Sequence, residues 1–211
     1  MIIQNLLYLE NPMARPVKFN RETALLSAMQ LFWERGYGAS SMSDLVVAMD
    51  MRPGSIYATF GSKRELLFEA INHYGSTNQE QIRKTLLSSS TVRVGFEQMF
   101  SQMIQEMVSD KVVRGCLLVN ILLELGALDK EAGALAQNHL NGLREIFVEA
   151  LSKAGQAGEV CNSKASEQSA TFLMGSAYSL RVMARAGASL DELTVYMEQS
   201  LLHVFGAALS S

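Results

Sequence analysis

Small and polar side chains occur together in one short stretch of this chain, in a pattern suited to nucleic acid. Gly54, Ser55 and Ala58 are small enough for a helix to sit deep in the major groove, where Ser and Thr hydroxyls bond to either type of base. Tyr57 and Lys63 have donors suited to phosphate oxygens. Lys63 also stands at a predicted helix start, where free backbone amides attract anions. The stretch therefore predicts a DNA-contacting surface.

The predicted contacts divide into two groups, according to the part of the DNA that each would bind. Three side chains are candidates for phosphate contacts: Ser41, Tyr57 and Lys63. Four are candidates for base contacts: Ser43, Arg52, Ser55 and Thr59. The donors and acceptors of this second group match those on base edges in the major groove. Gly54 and Ala58 complete the set, because they let the backbone approach the bases.

Two short helices joined by a tight turn must position these residues. The capping box Ser41-x-x-Asp44 predicts the start of the first helix. Pro53 suits the first position of the second helix, because its fixed φ is already helical. Ile56 and Phe60, four residues apart, give that helix a buried side. The arrangement predicts a helix-turn-helix, although an ordinary helical hairpin within a core would show a similar pattern.

Flanking signals predict the helices that brace this motif. Asn20 is expected to cap a first helix, and Gly36 is expected to end it. Ser62 opens a second capping box and begins a third helix at Lys63. Asp50 stands in the turn of the helix-turn-helix, and Asp adopts the left-handed backbone region more readily than most residues.

Residues 24–67 resemble the DNA-binding domain of the TetR family of transcriptional regulators. The matching elements, in order along the chain, are Leu31-Phe32-x-x-Arg35-Gly36-Tyr37, Ser41-Met42-x-Asp44-Leu45, Gly54-Ser55-Ile56-Tyr57-x-x-Phe60 and Ser62-Lys63-x-x-Leu66. One departure is Asp50, where the family usually has glycine. We expect this departure to cost some stability without loss of the motif.

The resemblance implies an all-α protein of two parts. The first is an N-terminal three-helix helix-turn-helix DNA-binding domain. The second is a C-terminal helical ligand-binding and dimerisation domain, which gives about nine helices in total. We expect an N-terminal extension or arm at residues 1–17, the DNA-binding domain at 18–78 and the ligand-binding and dimerisation domain at 79–211.

The resemblance also implies how such a protein works. It implies a cytoplasmic, non-enzymatic homodimer that binds a palindromic operator in double-stranded DNA. It further implies a repressor that an unknown small apolar or electrophilic effector releases, although the sequence leaves activation open. No cofactor, metal ion or membrane partner is expected. The last two predicted helices, with apolar residues spaced by threes and fours, resemble the dimer interface of the family.

Met and Phe side chains in the C-terminal part predict an apolar pocket. The chain holds twelve methionines, whose flexible side chains suit an adaptable binding surface. The candidate lining residues are Phe96, Met99, Phe100, Met103, Cys116, Asn120, Phe172 and Tyr178. For any one of them, packing in the core is the alternative.

Cys116 precedes a run that is apolar nearly all round and is predicted to be a buried central helix. A helix start and the nearby Arg114 both favour the thiolate form. Cys116 is therefore either a sensor of oxidants or electrophiles, or a small buried hydrophobe. The polar residues of this run, Asn120 and Glu124, share one stripe and could either line a pocket or reach solvent, of which we slightly favour solvent.

Charge and cysteine content limit the possible functions. The net charge is −3, and residues 13–75 hold seven Lys or Arg against six acidic residues. DNA binding should therefore come from a few placed contacts rather than from a broad basic field. The chain has two cysteines, one of them Cys161 in a predicted loop, and this absence of a disulfide framework suits a reducing cytoplasm.

Other classes of protein leave recognisable patterns that this chain lacks. No apolar stretch is long enough to span a membrane. The three histidines are isolated, and there is no His-x-x-x-His, CxxC, Gly-rich phosphate loop or nucleophile elbow. A helical small-molecule-binding protein or enzyme without DNA binding stays the alternative, but it would not need the small polar face of residues 53–59.

The first twelve residues are apolar but have neither a basic segment nor a signal-peptide cleavage site. We therefore expect either that translation starts at Met13 or that these residues form a disordered extension. Arg15 and Lys18 would then form a short basic arm beside the DNA-binding domain, able to reach phosphates or a minor groove.

Overall fold

The computed structural model describes residues 20–109, 114–160 and 166–206. Within these ranges it contains helices and no strand, as the all-α prediction requires. The nine helices are α1 (Arg21–Arg35), α2 (Met42–Met49), α3 (Pro53–Phe60), α4 (Lys63–Ser88), α5 (Val92–Ser109), α6 (Leu117–Leu125), α7 (Lys130–Gln156), α8 (Ser166–Arg185) and α9 (Leu190–Phe205). Arg15, Lys18, Cys161 and the predicted extension at residues 1–17 lie outside the described residues. None of the described helices is long and apolar enough to cross a membrane.

Three helices begin at the capping residues that the sequence predicts. The Asn20 side chain accepts hydrogen bonds from two amides of the first turn of α1. Ser41 and Ser62 each form a complete capping box, at the starts of α2 and α4. Asp50 adopts the left-handed conformation, with φ 50° and ψ 45°, directly after α2. The turn of the helix-turn-helix therefore has the expected backbone despite the missing glycine.

The first three helices and the beginning of α4, residues 20–70, form a unit with its own core, here called the head. Phe32, Leu45, Ile56 and Phe60 are buried in it. Leu66, from the second turn of α4, fills the same core and is fully buried. Packing of these side chains fixes α3 against the rest of the head.

Helix α4 continues without a break from the head into the remaining helices, here called the body. The predicted division between residues 78 and 79 therefore falls inside α4. In the body, α4 packs against α7 and α5, while α8 and α9 pack against each other. His139 of α7 lies so close to Gly75 of α4 that a Cβ there would be 2.3 Å from the imidazole ring. Close packing thus joins the connecting helix to the centre of the body.

Helix α6 is less buried than its composition predicts. Leu117, Leu118 and Ile121 are buried, as expected, but the Leu123 side chain is 83% exposed. The expectation of a helix buried all round is therefore wrong. The reason is that α6 lies at the edge of the body, where it packs mainly against α7 and leaves its other side to solvent.

An ion-pair cluster links the head to the body. The Arg64 guanidinium donates from Nε to Asp129 Oδ2 at 2.6 Å and from Nη2 to Asp129 Oδ1 at 2.9 Å. Its Nη2 also donates to Glu131 at 2.7 Å. Asp129 is at the same time the N-cap of α7, because its side chain accepts the amides of Glu131 and Ala132. One carboxylate therefore both begins α7 and binds the head.

We predict that this ion-pair cluster makes the fold less stable as the pH falls into the acidic range. Hydrogen bonds from Arg64, followed by the backbone amide of Ala132, lower the pKa of Asp129 from 3.8 to about 2. A lowered carboxyl pKa stabilises the folded state above the unfolded pKa, and this contribution is lost as the pH falls through the folded value. Asp129→Asn keeps a good N-cap but loses the charge. Its melting temperature should therefore lie below that of the wild type at neutral pH.

The measurement is a series of thermal unfolding curves between pH 7 and pH 2. The gap between wild type and Asp129→Asn should stay constant down to the usual carboxyl range and then narrow toward pH 2. Glu131→Gln is the control, because the Glu131 side chain is 74% exposed and its loss should change the curves little. A gap that does not narrow would show that the Asp129 charge does not stabilise the fold.

Candidate nucleic-acid interface

Helix α3 presents the face that the sequence predicts for DNA. Ile56 and Phe60 bury one side of the helix against the head core. On the opposite side Gly54, Ser55, Tyr57 and Ala58 are exposed, and Thr59 is half-buried. A Cβ built on Gly54 would meet no atom within 4 Å. The outer surface of α3 is therefore open to a second molecule along its length.

The predicted base-contacting residues all have side chains available for new contacts. Ser43, Arg52 and Ser55 are exposed, and Thr59 is half-buried. Within the described part of the chain, none of these four side chains is engaged in a hydrogen bond or ion pair. The structure thus brings these side chains to the outer face of α2 and α3 with their donors and acceptors unused.

The three predicted phosphate contacts differ in availability. The Tyr57 side chain is 50% exposed and free to bind. The Ser41 hydroxyl donates its one hydrogen to Asp44 Oδ2 at 2.6 Å and accepts the Asp44 amide at 3.1 Å. In this geometry Ser41 has no hydrogen to give a phosphate, because the capping box uses it. The predicted cap is confirmed, and the phosphate contact of Ser41 stays a prediction that would require its hydroxyl to turn away from Asp44.

Lys63 is directed toward the head rather than toward solvent. Its Nζ donates to the Tyr37 carbonyl at 2.6 Å and lies 4.1 Å from the centre of the Tyr37 ring. Burial lowers the pKa of Lys63, and the nearby charges of Glu124 and Asp44 oppose that change. One donor of the ammonium is therefore used by the α1–α2 turn and two remain. The phosphate contact of Lys63 stays a prediction.

Three of the five cations in the described head are paired with carboxylates. Arg21 pairs with Glu69 at 2.7 Å, and Arg35 pairs with Asp44 at 3.0 Å. Arg64 binds Asp129 of the body. In this part of the chain only the remaining two, Arg52 and Lys63, have no carboxylate within ion-pair distance. The positive charge offered to DNA is therefore small, in agreement with the near-neutral charge of residues 13–75.

The body contains a cavity of about 100 Å³ bounded by α4, α5, α7, α8 and the start of α6. Four of the predicted pocket residues line it: Met99, Met103, Cys116 and Tyr178. Further lining comes from residues that were not singled out from the sequence, among them Leu143, Phe147, Met174, Gln81 and Arg181. Asn78, Gln81 and Thr85 form a polar stripe on α4 at helical spacing, and this spacing was the signal that could have identified them.

The other four predicted pocket residues lie elsewhere. Phe96 and Phe100 are fully buried in the core, where the Phe96 ring packs edge-on against Phe147 at 4.9 Å. Asn120 donates to the Arg114 carbonyl at 2.8 Å. Phe172 is 39% exposed on α8. Helical periodicity places Phe96 and Met103 on the same buried face, but it does not predict which residue of that face lines a cavity.

Two phenols surround the buried thiol of Cys116. Burial is the main cause that raises the pKa of Tyr74 and of Tyr178, and the electrostatic effect of the neighbouring Cys116 is the second. Both phenols therefore stay protonated and can donate a hydrogen bond near the thiol. Cys116 itself is buried, and among the described residues the cavity that it lines gives a route to its sulfur.

Comparisons with known families agree with this geometry. Residues 24–70 match the family described as bacterial regulatory proteins, tetR family, and residues 96–199 match the tetracyclin repressor-like C-terminal domain. The first match contains α2 and α3 with the exposed face described above. The second contains all of α6 and α7 and most of the cavity lining.

Relatives and solved structures extend the match over most of the chain. The HTH-type transcriptional regulator YezE of Bacillus subtilis is 25% identical and covers 90% of this chain and 98% of its own length. The HTH-type transcriptional repressor ComR of Escherichia coli is 28% identical over 85% of this chain and 86% of its own.

Among solved structures, a cysteine-substituted form of the TetR family regulator CifR, complexed with 26 base pairs of operator DNA, is 31% identical with a TM-score of 0.72. It covers 89% of this chain and 98% of its own. The reduced form of Escherichia coli NemR has a TM-score of 0.80 at 19% identity, covers 90% of this chain and 98% of its own, and shares the fold. The chain belongs to the TetR family of DNA-binding transcriptional regulators.

Proposed function

We propose that this protein is a repressor that binds a palindromic operator as a homodimer and is released by a small apolar or electrophilic effector. The observation that carries the proposal is the outer face of α3, which is small, polar and exposed, with no side-chain partner among the described residues. The structure of CifR with operator DNA and the repressor ComR support DNA binding and repression. As a DNA-binding protein it would act in the cytoplasm.

The exposed surfaces of α8 and α9 support the homodimer. Both helices carry large apolar side chains on the outside, which a soluble monomer leaves to water at a cost. They are Phe172 and Val182 on α8 and Val195 and Leu202 on α9. The two helices pack together, and the Phe172 ring lies 4.7 Å from His203. A two-fold partner packed on these helices would bury the apolar stripes in a four-helix bundle.

A dimer also suits the small size of the DNA-contacting face. Helix α3 has eight residues, so it can reach only a few base pairs. Two copies related by a two-fold axis would read two half-sites about 34–36 Å apart, or a multiple of that spacing. The palindrome expected of the operator follows from this symmetry. The proposed division places DNA binding at residues 18–78 and ligand binding and dimerisation at residues 79–211. It depends on the same proposal that the head binds DNA and that the body forms the dimer.

The cavity supports a small effector with an apolar body. The lining from α7 is apolar, and α5 adds Met99 and Met103. Polar groups come from Asn78 and Gln81 of α4, Gln102 and Glu106 of α5, and Arg181 of α8. An effector that binds there would release the operator only if it favours the conformation that does not bind DNA, by a coupling of about 1–3 kcal/mol. Cys116 would give the same cavity a reactive group for an electrophile.

The experiment that tests the proposal is binding to the DNA upstream of the gene itself. A gel shift at physiological salt with non-specific competitor, followed by footprinting, should show a discrete complex that protects a palindrome. Val182→Glu is the matched variant, because it places a charge on the exposed face of α8 and should weaken both the dimer and the palindrome complex. Absence of any specific complex, with no ligand detected by native mass spectrometry, would contradict the proposal.

We predict that Tyr57→Phe weakens operator binding about tenfold or more for each half-site. The change removes only the hydroxyl, and a hydrogen bond to a charged group contributes about 1.5–3 kcal/mol. The melting temperature should stay unchanged, because the hydroxyl has no partner within the described chain. The measurement is operator affinity at moderate salt, with Tyr196→Phe on α9 as the control. Equal affinity of Tyr57→Phe and wild type would rule out a phosphate role for this hydroxyl.

We predict that Cys116→Ser keeps operator binding but loses the response to an electrophile. An α,β-unsaturated ketone that enters the cavity would add to the thiol: sulfur bonds to the β carbon, and the α carbon receives the proton. Wild type and Cys161→Ser should both release the operator after this treatment, whereas Cys116→Ser should not. Release is followed by gel shift, and the adduct by mass spectrometry. An unchanged response in Cys116→Ser would end the sensor hypothesis.

A further inference from the structure

The turn between α1 and α2 binds a carboxylate that comes from the body. Glu124, in the last turn of α6, accepts the Tyr37 amide on Oε2 at 3.0 Å and the Gly38 amide on Oε1 at 2.6 Å. Two successive amides that converge on one anion form a nest, and hydrogen bonds to an ionised acceptor are among the strong ones. The expectation that Glu124 reaches solvent is therefore wrong, because its partner lies far away in the sequence.

The glycines on both sides of Tyr37 make this approach possible. A Cβ on Gly38 would lie 3.1 Å from Glu124 Oε1, and a Cβ on Gly36 would lie 2.8 Å from Oε2. Gly36 also has a φ of 83°, which disfavours any other residue, whereas Gly38 has no positive φ. Space for the carboxylate is thus the only constraint the structure shows at Gly38.

The bound turn is hydrogen-bonded to elements that flank the DNA-contacting face. The Tyr37 carbonyl accepts Lys63 Nζ at 2.6 Å, so the turn also holds the start of α4. The Ser40 hydroxyl donates to the Gly36 carbonyl at 2.6 Å, and α2 begins two residues later. A carboxylate that binds two amides of this turn is therefore connected, through the turn, to α2 and to the start of α4.

The other end of α6 lies at the cavity. Cys116 is the N-cap of α6 and lines the cavity, and the preceding carbonyl of Gly115 accepts Arg181 Nη1 at 2.8 Å. Just before it, the Arg114 guanidinium lies 4.8 Å from the Trp33 ring of α1. Helix α6 has nine residues, or about 13 Å of stiff backbone between the cavity and Glu124. If α6 moved as a rigid body, both of its ends would move together.

We infer that Glu124 is a positioning residue for operator binding: its carboxylate holds the α1–α2 turn and so sets the orientation of the head on the body. The inference rests on the proposed function, because orientation matters only when two heads must meet two half-sites at once. An unfixed head would contact one half-site as well as before. It would bind the full palindrome less tightly, because the spacing of the two heads is no longer set in advance.

Two measurements test the contact itself without DNA. Hydrogen exchange of the Tyr37 and Gly38 amides, followed by NMR on the full chain, should become at least tenfold faster in Glu124→Ala and stay at the wild-type rate in Glu145→Gln, which removes an exposed charge from α7. Gly38→Ala should lower the melting temperature by about 2–4 °C in the wild type and change it little in Glu124→Ala. Unchanged exchange, or the same effect of Gly38→Ala in both backgrounds, would overturn the inference.

The third measurement uses DNA and separates positioning from folding. Glu124→Gln keeps the shape of the side chain, but its NH₂ group replaces one of the two oxygens that accept the backbone amides of Tyr37 and Gly38. One of these amides therefore loses its acceptor. It should bind the full palindrome about tenfold more weakly and a single half-site at low salt as tightly as wild type. Equal losses on both DNAs, or no loss on either, would overturn the positioning role. If the wild-type protein binds no palindrome, the proposed function fails. Amide hydrogen exchange and the effect of Gly38→Ala in the two backgrounds would still decide whether Glu124 holds the turn.

Discussion

The continuous helix α4 is the constraint on which the rest of the molecule depends. Its first turns place Leu66 and Leu67 in the core of the head, and its last turns place Leu86 in the core of the body. Burial of apolar surface is the main source of stability in both cores. Because the same rigid helix serves both, the head cannot turn freely about the chain that joins it to the body. Any conformational coupling between cavity and DNA must act through α4 or through contacts parallel to it.

Such parallel contacts exist, and they are polar. Arg64 binds Asp129, and Glu124 binds the turn after α1. Both carboxylates lie within the short α6–α7 region, so one corner of the body carries both links. Hydrogen bonds lose strength quickly when their geometry changes. The links of the α6–α7 corner therefore add a directional constraint on the head to the one that the α4 packing already provides.

Local signals made the head predictable. A capping box, a Pro at the start of a helix and a left-handed Asp act within about four residues, so the sequence carries the whole interaction. This is why Ser41, Ser62 and Asp50 behave as predicted. Glu124 and Lys63 were assigned incompletely, because their partners lie 87 and 26 residues away. The cavity was found only in part, since periodicity identifies a buried face but not the gap within it.

Ion pairing within the protein also limits the positive charge that the nearly neutral head can offer to DNA. Arg21, Arg35 and Arg64 are held by carboxylates, which leaves Arg52 and Lys63 as the described cations of the head without a carboxylate partner. Counterion release scales with the number of phosphates neutralised, so non-specific attraction to DNA is weak. Affinity must then come from hydroxyl contacts and close fit in the groove, which depend on sequence and on exact placement. In the proposed homodimer, affinity would further depend on holding two such heads at the right spacing, and that requirement would fall on the body.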